Sequence, residues 1–214
     1  MPTLVVLAVL AAILMITAQF WTEVLWFSHL DFEEVLWREW ITRAVLFAIG
    51  FLVMGVSVWL GLRLAYRSRP IYAPVTPEQQ NLDRYRESVE PLRRLVMIGA
   101  PIVLGIFSGI SASGNWRSVL MWLNREPFGT TDPEFGIDVG FFVFTLPVLR
   151  TLVSFLMTVV LITLVASLVT HYLYGGIQLA GRPQRVTRAA RIQLSVMAAV
   201  FVLLIGANYW LDRY

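Results

Sequence analysis

Three carboxylates in one short stretch are the residues best suited to bind a metal ion. Asp132, Glu134 and Asp138 lie within TTDPEFGIDVGFF, and such hard oxygen ligands suit calcium or magnesium if a loop folds around the ion. Their spacing matches no EF-hand loop, and acids that simply face solvent have the same composition. We therefore predict no bound metal and keep these three residues as the metal-ligand candidates.

Histidine offers a second kind of chemistry, and the chain contains two, His29 and His171. They lie far apart in the sequence, and five membrane spans would place them near opposite faces, so they do not form one metal site or acid–base pair. His171 follows an apolar run, where it is either a ligand to a haem or pigment or a histidine near a helix end at the membrane interface. We predict no cofactor and keep His171 as the candidate cofactor ligand.

Motifs for covalent or nucleotide-dependent catalysis do not occur in the sequence. The chain contains no cysteine, which excludes disulfides, thiolate metal sites and cysteine nucleophiles. It also contains no GxSxG, HExxH, Walker or dinucleotide-binding pattern. We predict that the chain is not an enzyme.

Composition places the chain in a membrane. Of its 214 residues, 57% are hydrophobic and only 14% are charged, and the mean hydropathy is +0.69, outside the range of ordinary soluble domains. A helix needs roughly 20 apolar residues to cross a bilayer. We predict an all-α integral membrane protein with about five transmembrane helices, at about residues 4–26, 44–64, 95–113, 152–172 and 192–209. The first run lacks the basic start of a signal peptide, so we expect it to remain as a helix.

The segments between the spans include interfacial amphipathic helices. One is predicted to begin at Thr76, and a shorter one to occupy residues 115–124. A third is predicted to begin at Asp132, as the cap, with Pro133 at the first helical position. The acidic, tryptophan-rich stretch Glu23–Arg43 is predicted to be a loop.

Small residues on the third predicted span form a stripe that suits helix packing. Pro101, Gly105, Gly109 and Ser113 follow one another at four-residue spacing and therefore share one face. Small residues in this register let another helix approach closely. We predict that Gly105, Gly109 and Ser113 are helix-packing residues.

Polar groups at the middle of the spans are small hydroxyls that can bond to carbonyls of their own helix. Charged residues fall at span ends or in loops, and Glu23, in the last turn of the first span, is the nearest to an exception. A charge at the bilayer centre is unfavourable and is retained there mainly for function. We therefore expect an apolar centre filled by side chains, without a complete polar conduction path.

Arginine distribution predicts the orientation. All 17 basic residues are arginine. The loops after the second and fourth spans, with the end of the second span, hold 11 arginines and 4 acids, whereas the other loops and the C-terminal end hold 6 arginines and 10 acids. Because short arginine-rich loops stay in the cytoplasm, we predict a cytoplasmic N-terminus and an extracytoplasmic Tyr214.

Five segments of the sequence resemble a known family. They are WFSHLDFEEVLW, RYRESVEPLRRLVMIGAPIVLGIFSG, DPEFGIDVGFFVFTLPVLR, HYLYGGIQLAGR and ANYWLDRY, which occur in this order between the predicted spans. The chain is similar over nearly its whole length to the N-terminal transmembrane region of the bacterial uncharacterised protein family 0182 (UPF0182). The resemblance implies a multi-pass protein of the bacterial plasma (inner) membrane, of which this chain is the N-terminal part. It brings no established activity and no catalytic residues.

Two functions are compatible with these features. The first is a structural or accessory multi-pass subunit of a larger bacterial membrane assembly, favoured by the packing stripe and by spans without ionisable groups at their centres. The second is the N-terminal segment of a membrane transporter or channel, which would need polar groups at mid-membrane. The expected partners are the lipid bilayer and other membrane protein subunits, and not nucleic acid.

Overall fold

The computed structural model describes residues 2–69, 93–178 and 185–214. In these ranges the chain is almost entirely helical, because hydrogen bonds within a helix satisfy the backbone of a long apolar run. The α-helices are α1 (Pro2–His29), α2 (Glu33–Arg67), α3 (Arg93–Ser113), α4 (Trp116–Leu123), α5 (Leu146–Leu173) and α6 (Arg188–Asp212). Five described segments are long and apolar enough to cross a membrane: Thr3–His29, Glu33–Arg67, Leu95–Ser113, Phe141–Leu173 and Arg188–Asp212. The prediction of an all-α chain with about five such helices is confirmed.

The first two long helices extend further than predicted. The stretch Glu23–Arg43, predicted as a loop, is helical except at residues 30–32. Its charges support the start of α2: Arg38 donates to Glu34 at 2.6 Å, and Arg43 pairs with Glu39, each one helical turn apart. The loop prediction was wrong because these acids lie near a helix N-terminus, where the helix dipole favours negative charge.

The predictions of interfacial helices are confirmed in one case and untested in another. The short helix predicted at residues 115–124 is present as α4, Trp116–Leu123. The guanidinium groups of Arg43 and Arg117 lie 5.1 and 5.2 Å from the centroid of the Trp116 ring. The helix predicted to begin at Thr76 lies outside the described residues.

The helix predicted to begin at Asp132 does not begin there, so this prediction was wrong. Asp132 instead forms a tight turn, in which its Oδ1 accepts hydrogen bonds from the backbone N–H groups of Glu134 and Phe135 at 2.9 Å each. Gly136 has φ +64°, a left-handed conformation that ends any helix at this point. Helical structure starts after Asp138.

Helix α2 forms the centre of the bundle and packs against α3, α5 and the ends of the other helices. Met54, Val58 and Leu62 recur every four residues on one of its faces and are buried against Val159 of α5. Because membrane lipid is as apolar as these side chains, helices of this kind associate through close packing and interhelical hydrogen bonds.

Glycines bring α2 and α3 into close contact. A Cβ atom built on Gly105 would lie 2.9 Å from Cδ2 of Phe51, and one built on Gly109 would lie 2.8 Å from both Cδ2 and the carbonyl oxygen of Phe47. The backbones are therefore as near to one another as glycine allows. Ser113, the last residue of the predicted stripe, bonds through its hydroxyl to the carbonyl of Ile110 in its own helix at 2.8 Å.

Helix α1 contacts the bundle near its C-terminal end. The ring of Phe20 stacks on that of Trp40 in α2, with 4.4 Å between the centroids. In the most apolar part of α1 none of the residues is buried. The helix therefore presents an apolar surface that the described part of the chain does not cover.

Helices α5 and α6 are antiparallel neighbours. Between them, β1 (Ile177–Gln178) and β2 (Arg185–Val186) pair as a short antiparallel ladder. Thr187 then caps α6, accepting a hydrogen bond at its Oγ1 from the N–H of Ala190 at 3.3 Å. The end of α5 therefore lies beside the start of α6, and the start of α5 beside the end of α6.

Candidate functional site

A group of polar side chains is buried where α2, α5 and α6 meet. His171 and Ser167, one turn apart on α5, are 1% and 0% exposed. Gln193 of α6 connects them, because its amide nitrogen donates to Ser167 Oγ at 3.1 Å and its oxygen lies 3.0 Å from His171 Nε2. The same amide nitrogen donates to the carbonyl of Gly61 in α2 at 3.0 Å. One glutamine thus joins three helices.

The bonds of Gln193 determine which nitrogen of His171 carries the proton. Because the glutamine amide nitrogen donates to two other groups, its oxygen is left to accept from Nε2, and Nδ1 is left as an acceptor. Nδ1 is buried and has no hydrogen-bond partner in the described part of the chain. Gly176 covers it: a Cβ there would lie 2.8 Å from Nδ1, and the Gly176 N–H donates to the His171 carbonyl at 2.7 Å.

Other polar groups beside the cluster bond within their own helix, and α2 packs closely against it. Thr163 and Thr170 donate to the carbonyls of the residues four positions earlier, at 2.7 and 2.8 Å. Gly61 allows α2 to approach this face, since a Cβ there would lie 2.7 Å from Cγ2 of Thr163 and 2.8 Å from Oγ of Ser167.

This geometry bears on the candidate role of His171 as a haem or pigment ligand. Metal ligation needs a ring nitrogen with a lone pair directed at the ion. In His171, Nε2 is hydrogen-bonded to Gln193, and Nδ1 lies beneath Gly176. The arrangement favours a structural role, in which the histidine joins α5 to α6.

The acidic turn before α5 is organised by Asp138. Its carboxylate accepts hydrogen bonds from the backbone N–H groups of Gly140 at 2.7 Å, Gly129 at 3.0 Å and Phe128 at 3.2 Å. The bond from Gly140, helped by the other two, outweighs desolvation and holds the pKa of Asp138 below its ordinary value of 3.8. Asp138 is therefore the capping carboxylate that the sequence led us to expect at Asp132.

The three metal-ligand candidates do not converge. Asp132 and Asp138 each direct a carboxylate oxygen at backbone N–H groups, and Glu134 is exposed. Among the described residues, no three histidine, cysteine, aspartate or glutamate side chains lie close enough to hold a metal ion. In this arrangement the acids shape the turn.

The turn before α5 meets the end of α6 through aromatic rings. The ring centroid of Tyr214 lies 5.2 Å from that of Phe135, 5.5 Å from Phe141 and 6.3 Å from Phe142. Phe141 and Phe142 belong to a π-helical turn, Phe141–Thr145, that leads into α5. Such turns change the direction in which side chains project, and they are frequent at functional sites.

Polar contacts reinforce the same junction. Arg150 of α5 donates to the carbonyl of Leu211 at 3.2 Å and lies 3.8 Å from the carboxylate of Asp212. Asn208 donates to Asp212 at 3.4 Å. The segments DPEFGIDVGFFVFTLPVLR and ANYWLDRY are thus in contact, although the sequence analysis did not predict that they meet.

Of the buried cluster, only His171 was predicted as a site residue; Ser167, Gln193 and Gly61 were not, nor were Thr163 and Thr170. One signal could have indicated them, since Thr163, Ser167 and His171 recur every four residues on an otherwise apolar helix. A polar stripe of this kind requires polar or small residues opposite it. It does not identify which helix supplies them.

Comparison with known proteins identifies the family. The model of the uncharacterised protein family UPF0182 matches residues 1–214. The chain is 48% identical over 212 residues to a UPF0182 protein of Leifsonia xyli, an alignment that covers 99% of this chain and 21% of the relative. It is 49% identical over 199 residues to one of Kineococcus radiotolerans, with 93% of this chain and 19% of the relative covered. No solved structure matches.

The chain spans about a fifth of the length of the curated relatives it matches. The family match extends along the whole chain, and the identities approach one half. The resemblance predicted from the five sequence segments is confirmed, and this chain belongs to the uncharacterised protein family UPF0182.

Proposed function

We propose that the chain is a structural or accessory multi-pass subunit of a larger bacterial membrane assembly, without catalytic chemistry of its own. The observation that carries this proposal is the uncovered surface of its helices. In the most apolar parts of α1 and α6, only 0% and 6% of the residues are buried, whereas the corresponding share is 28% in α2. Such helices are available to contact lipid or the helices of other subunits.

The interior supports the same proposal. At its centre, Met54, Val58 and Leu62 meet Val159 without an ionisable group among them. The buried histidine, His171, is joined to Gln193 within the bundle. These contacts support a role of the side chains in helix packing.

The proposed location is the bacterial plasma membrane, with the N-terminus in the cytoplasm and Tyr214 outside. The arginine-rich segments before α3 and between α5 and α6 would then face the cytoplasm. The aromatic junction around Tyr214 would lie at the outer surface. The expected partners are the lipid bilayer and other membrane subunits.

Purification from the source membrane tests the proposal. The protein, tagged at its natural length, is extracted in a mild detergent, and its mass is measured under native conditions. We expect a complex containing a second kind of membrane protein at fixed stoichiometry, absent when an unrelated multi-pass protein carries the tag. Recovery of the protein alone, at every detergent concentration tried and after cross-linking in intact membranes, would contradict an accessory role.

The alternative is the N-terminal segment of a transporter or channel. The observation in its favour is the buried polar stripe of Thr163, Ser167 and His171, to which Gln193 adds a polar group from α6. Reconstituted liposomes containing ion-sensitive or pH-sensitive dyes discriminate between the two functions. Flux that is abolished by Gln193→Leu, with the helical content unchanged, would favour the transporter.

A further inference from the structure

The guanidinium group of Arg213 lies over three aromatic rings at the end of α6. Its Cζ atom lies 4.8 Å from the ring centroid of Trp210, 5.1 Å from that of Tyr214 and 5.8 Å from that of Phe135. Phe135 belongs to the turn before α5, so the arginine is held by rings from two separate segments. Each ring face attracts the cation and restricts where the side chain can go.

The hydrogen-bonding edge of this guanidinium is not used by the described part of the chain. Arg213 is exposed, and none of the ion pairs between described residues involves it. The adjacent acid, Asp212, is directed instead towards Arg150 at 3.8 Å and Asn208 at 3.4 Å. The N–H groups of arginine are donors in a planar fork that matches a phosphate.

The position of Arg213 along the helix determines which anions it meets. Helix α6 has 25 residues and is therefore about 37 Å long, more than the roughly 30 Å of a bilayer's hydrocarbon core. Its last turn also exposes Tyr209 and Trp210, which are 73% and 61% exposed. Exposed aromatic rings at a helix end are typical of the level of the lipid headgroups.

We propose that Arg213 binds the phosphate of a membrane phospholipid, with Phe135, Trp210 and Tyr214 holding its guanidinium in place. The ligand class is the phosphodiester of a glycerophospholipid. The lipid's acyl chains would lie along the exposed apolar face of α6. The inference requires α6 to lie in a membrane, and it does not depend on whether the chain is a subunit or a transporter.

Native mass spectrometry of the full protein in detergent tests the site. Phosphatidylglycerol is added in increasing amounts, and the fraction of protein carrying one retained lipid is measured. We expect Arg213→Gln to weaken retention about tenfold or more, because a hydrogen-bonded ion pair with phosphate is lost. Arg117→Gln is the matched control, since Arg117 is also exposed but lies over one ring, that of Trp116. Equal retention by wild type and Arg213→Gln would overturn the proposal.

A second variant separates the contribution of the rings from that of the charge. Phe135→Ala keeps Arg213 and removes one of its three rings, so retention should weaken about two- to fivefold. Unchanged retention by Phe135→Ala would overturn the claim that the rings position the arginine. Melting curves of each variant show whether the fold is retained.

The source of the phosphate is tested in two further arms. A galactolipid without phosphate should not be retained at the Arg213 site, and millimolar inorganic phosphate should not displace phosphatidylglycerol. Displacement by inorganic phosphate at the same concentration would indicate a site for free anions and overturn the assignment to lipid. Equal retention of the galactolipid would overturn the role of phosphate.

Discussion

Backbone N–H groups determine what the acids before α5 do. Asp138 accepts three of these hydrogen bonds, and Asp132 accepts two. Unpaired N–H groups in a turn and at a helix start need acceptors, and a short carboxylate supplies them locally. The same residue types suggest a metal site in sequence, because hydrogen bonds to the backbone leave no trace in the spacing of the acids.

Asp138→Asn should destabilise the protein by removing the charged acceptor. At neutral pH we expect its melting temperature to fall by a few degrees, because the asparagine amide nitrogen would replace the oxygen that accepts from Gly129 and leave that N–H unpaired. Because folding lowers the pKa of Asp138 below 3.8, its stabilisation is present above the unfolded-state pKa and is lost as the pH falls through the folded-state pKa. Thermal unfolding in detergent, followed from neutral pH to below 3.8, should therefore show the difference from wild type shrinking.

The neighbouring acid provides the control for Asp138. Glu134→Gln changes an exposed residue of the same turn, so its melting temperature and pH dependence should match those of wild type. A difference between Asp138→Asn and wild type that stays constant down to acid pH would contradict a role for the carboxylate charge.

Gly176 is a second residue whose type is set by one close contact. In Gly176→Ala the new Cβ would lie 2.8 Å from Nδ1 of His171, a buried ring that has little room to move. We expect a loss of about 1–3 kcal/mol in the free energy of unfolding, as for other overpacked sites. Gly206→Ala is the control, because nothing lies within 4 Å of its Cβ, and Gly to Ala within a helix stabilises by roughly 0.5–1 kcal/mol. If the two variants changed the free energy of unfolding in the same direction, the close contact at Gly176 would be contradicted.

At the level of elements, the face of α3 that packs was predictable, but its neighbour was not. Four-residue spacing places Gly105 and Gly109 on one face whatever lies opposite. That they meet Phe51 and Phe47 depends on how α2 is placed, and α2 is apolar on all sides. The reciprocal glycine, Gly50 of α2, which lies against Ala112, was missed for the same reason.

Gly109→Leu should separate α2 from α3. A leucine side chain at this position would overlap the ring and carbonyl of Phe47, so we expect a loss of about 1–3 kcal/mol in stability. Gly99→Leu on the same helix is the matched control, since a Cβ at Gly99 has no neighbour within 4 Å. Detergent titration followed by intrinsic fluorescence measures both, and equal stability of the two variants would contradict close packing at Gly109.

Element boundaries were the less predictable feature of the helices. In the stretch Glu23–Arg43 the charges indicated a loop, but they pair along the first turns of α2. In the turn at Asp132, the Asp-Pro pair indicated a helix start, but Gly136 ends the turn before a helix can form. In both cases the local composition is compatible with a loop and with a helix. Contacts between residues two to four positions apart decide which of the two forms.

At the level of the whole molecule, the number of long apolar helices follows from composition, whereas their arrangement does not. Periodicity indicates which face of a helix packs, as the stripes on α3 and α5 do, but it does not identify the helix that lies against that face. The contact between Tyr214 and Phe135 joins residues nearly 80 positions apart in the sequence. It depends on the antiparallel placement of α5 and α6, which no single segment encodes.

The orientation of the whole molecule is the remaining prediction, and the lack of cysteine makes it testable. Because arginine-rich loops are retained in the cytoplasm, the loop between α5 and α6 should face inward and the turn before α5 outward. Single cysteines are introduced at Gln184 in the first and at exposed Glu134 in the second, and intact cells are treated with a membrane-impermeant maleimide. We expect Glu134→Cys to be labelled and Gln184→Cys to be labelled only after the cells are lysed. The reverse pattern would place Tyr214, Arg213 and the aromatic junction on the cytoplasmic side, whereas labelling of both positions in intact cells would contradict a membrane-crossing α5.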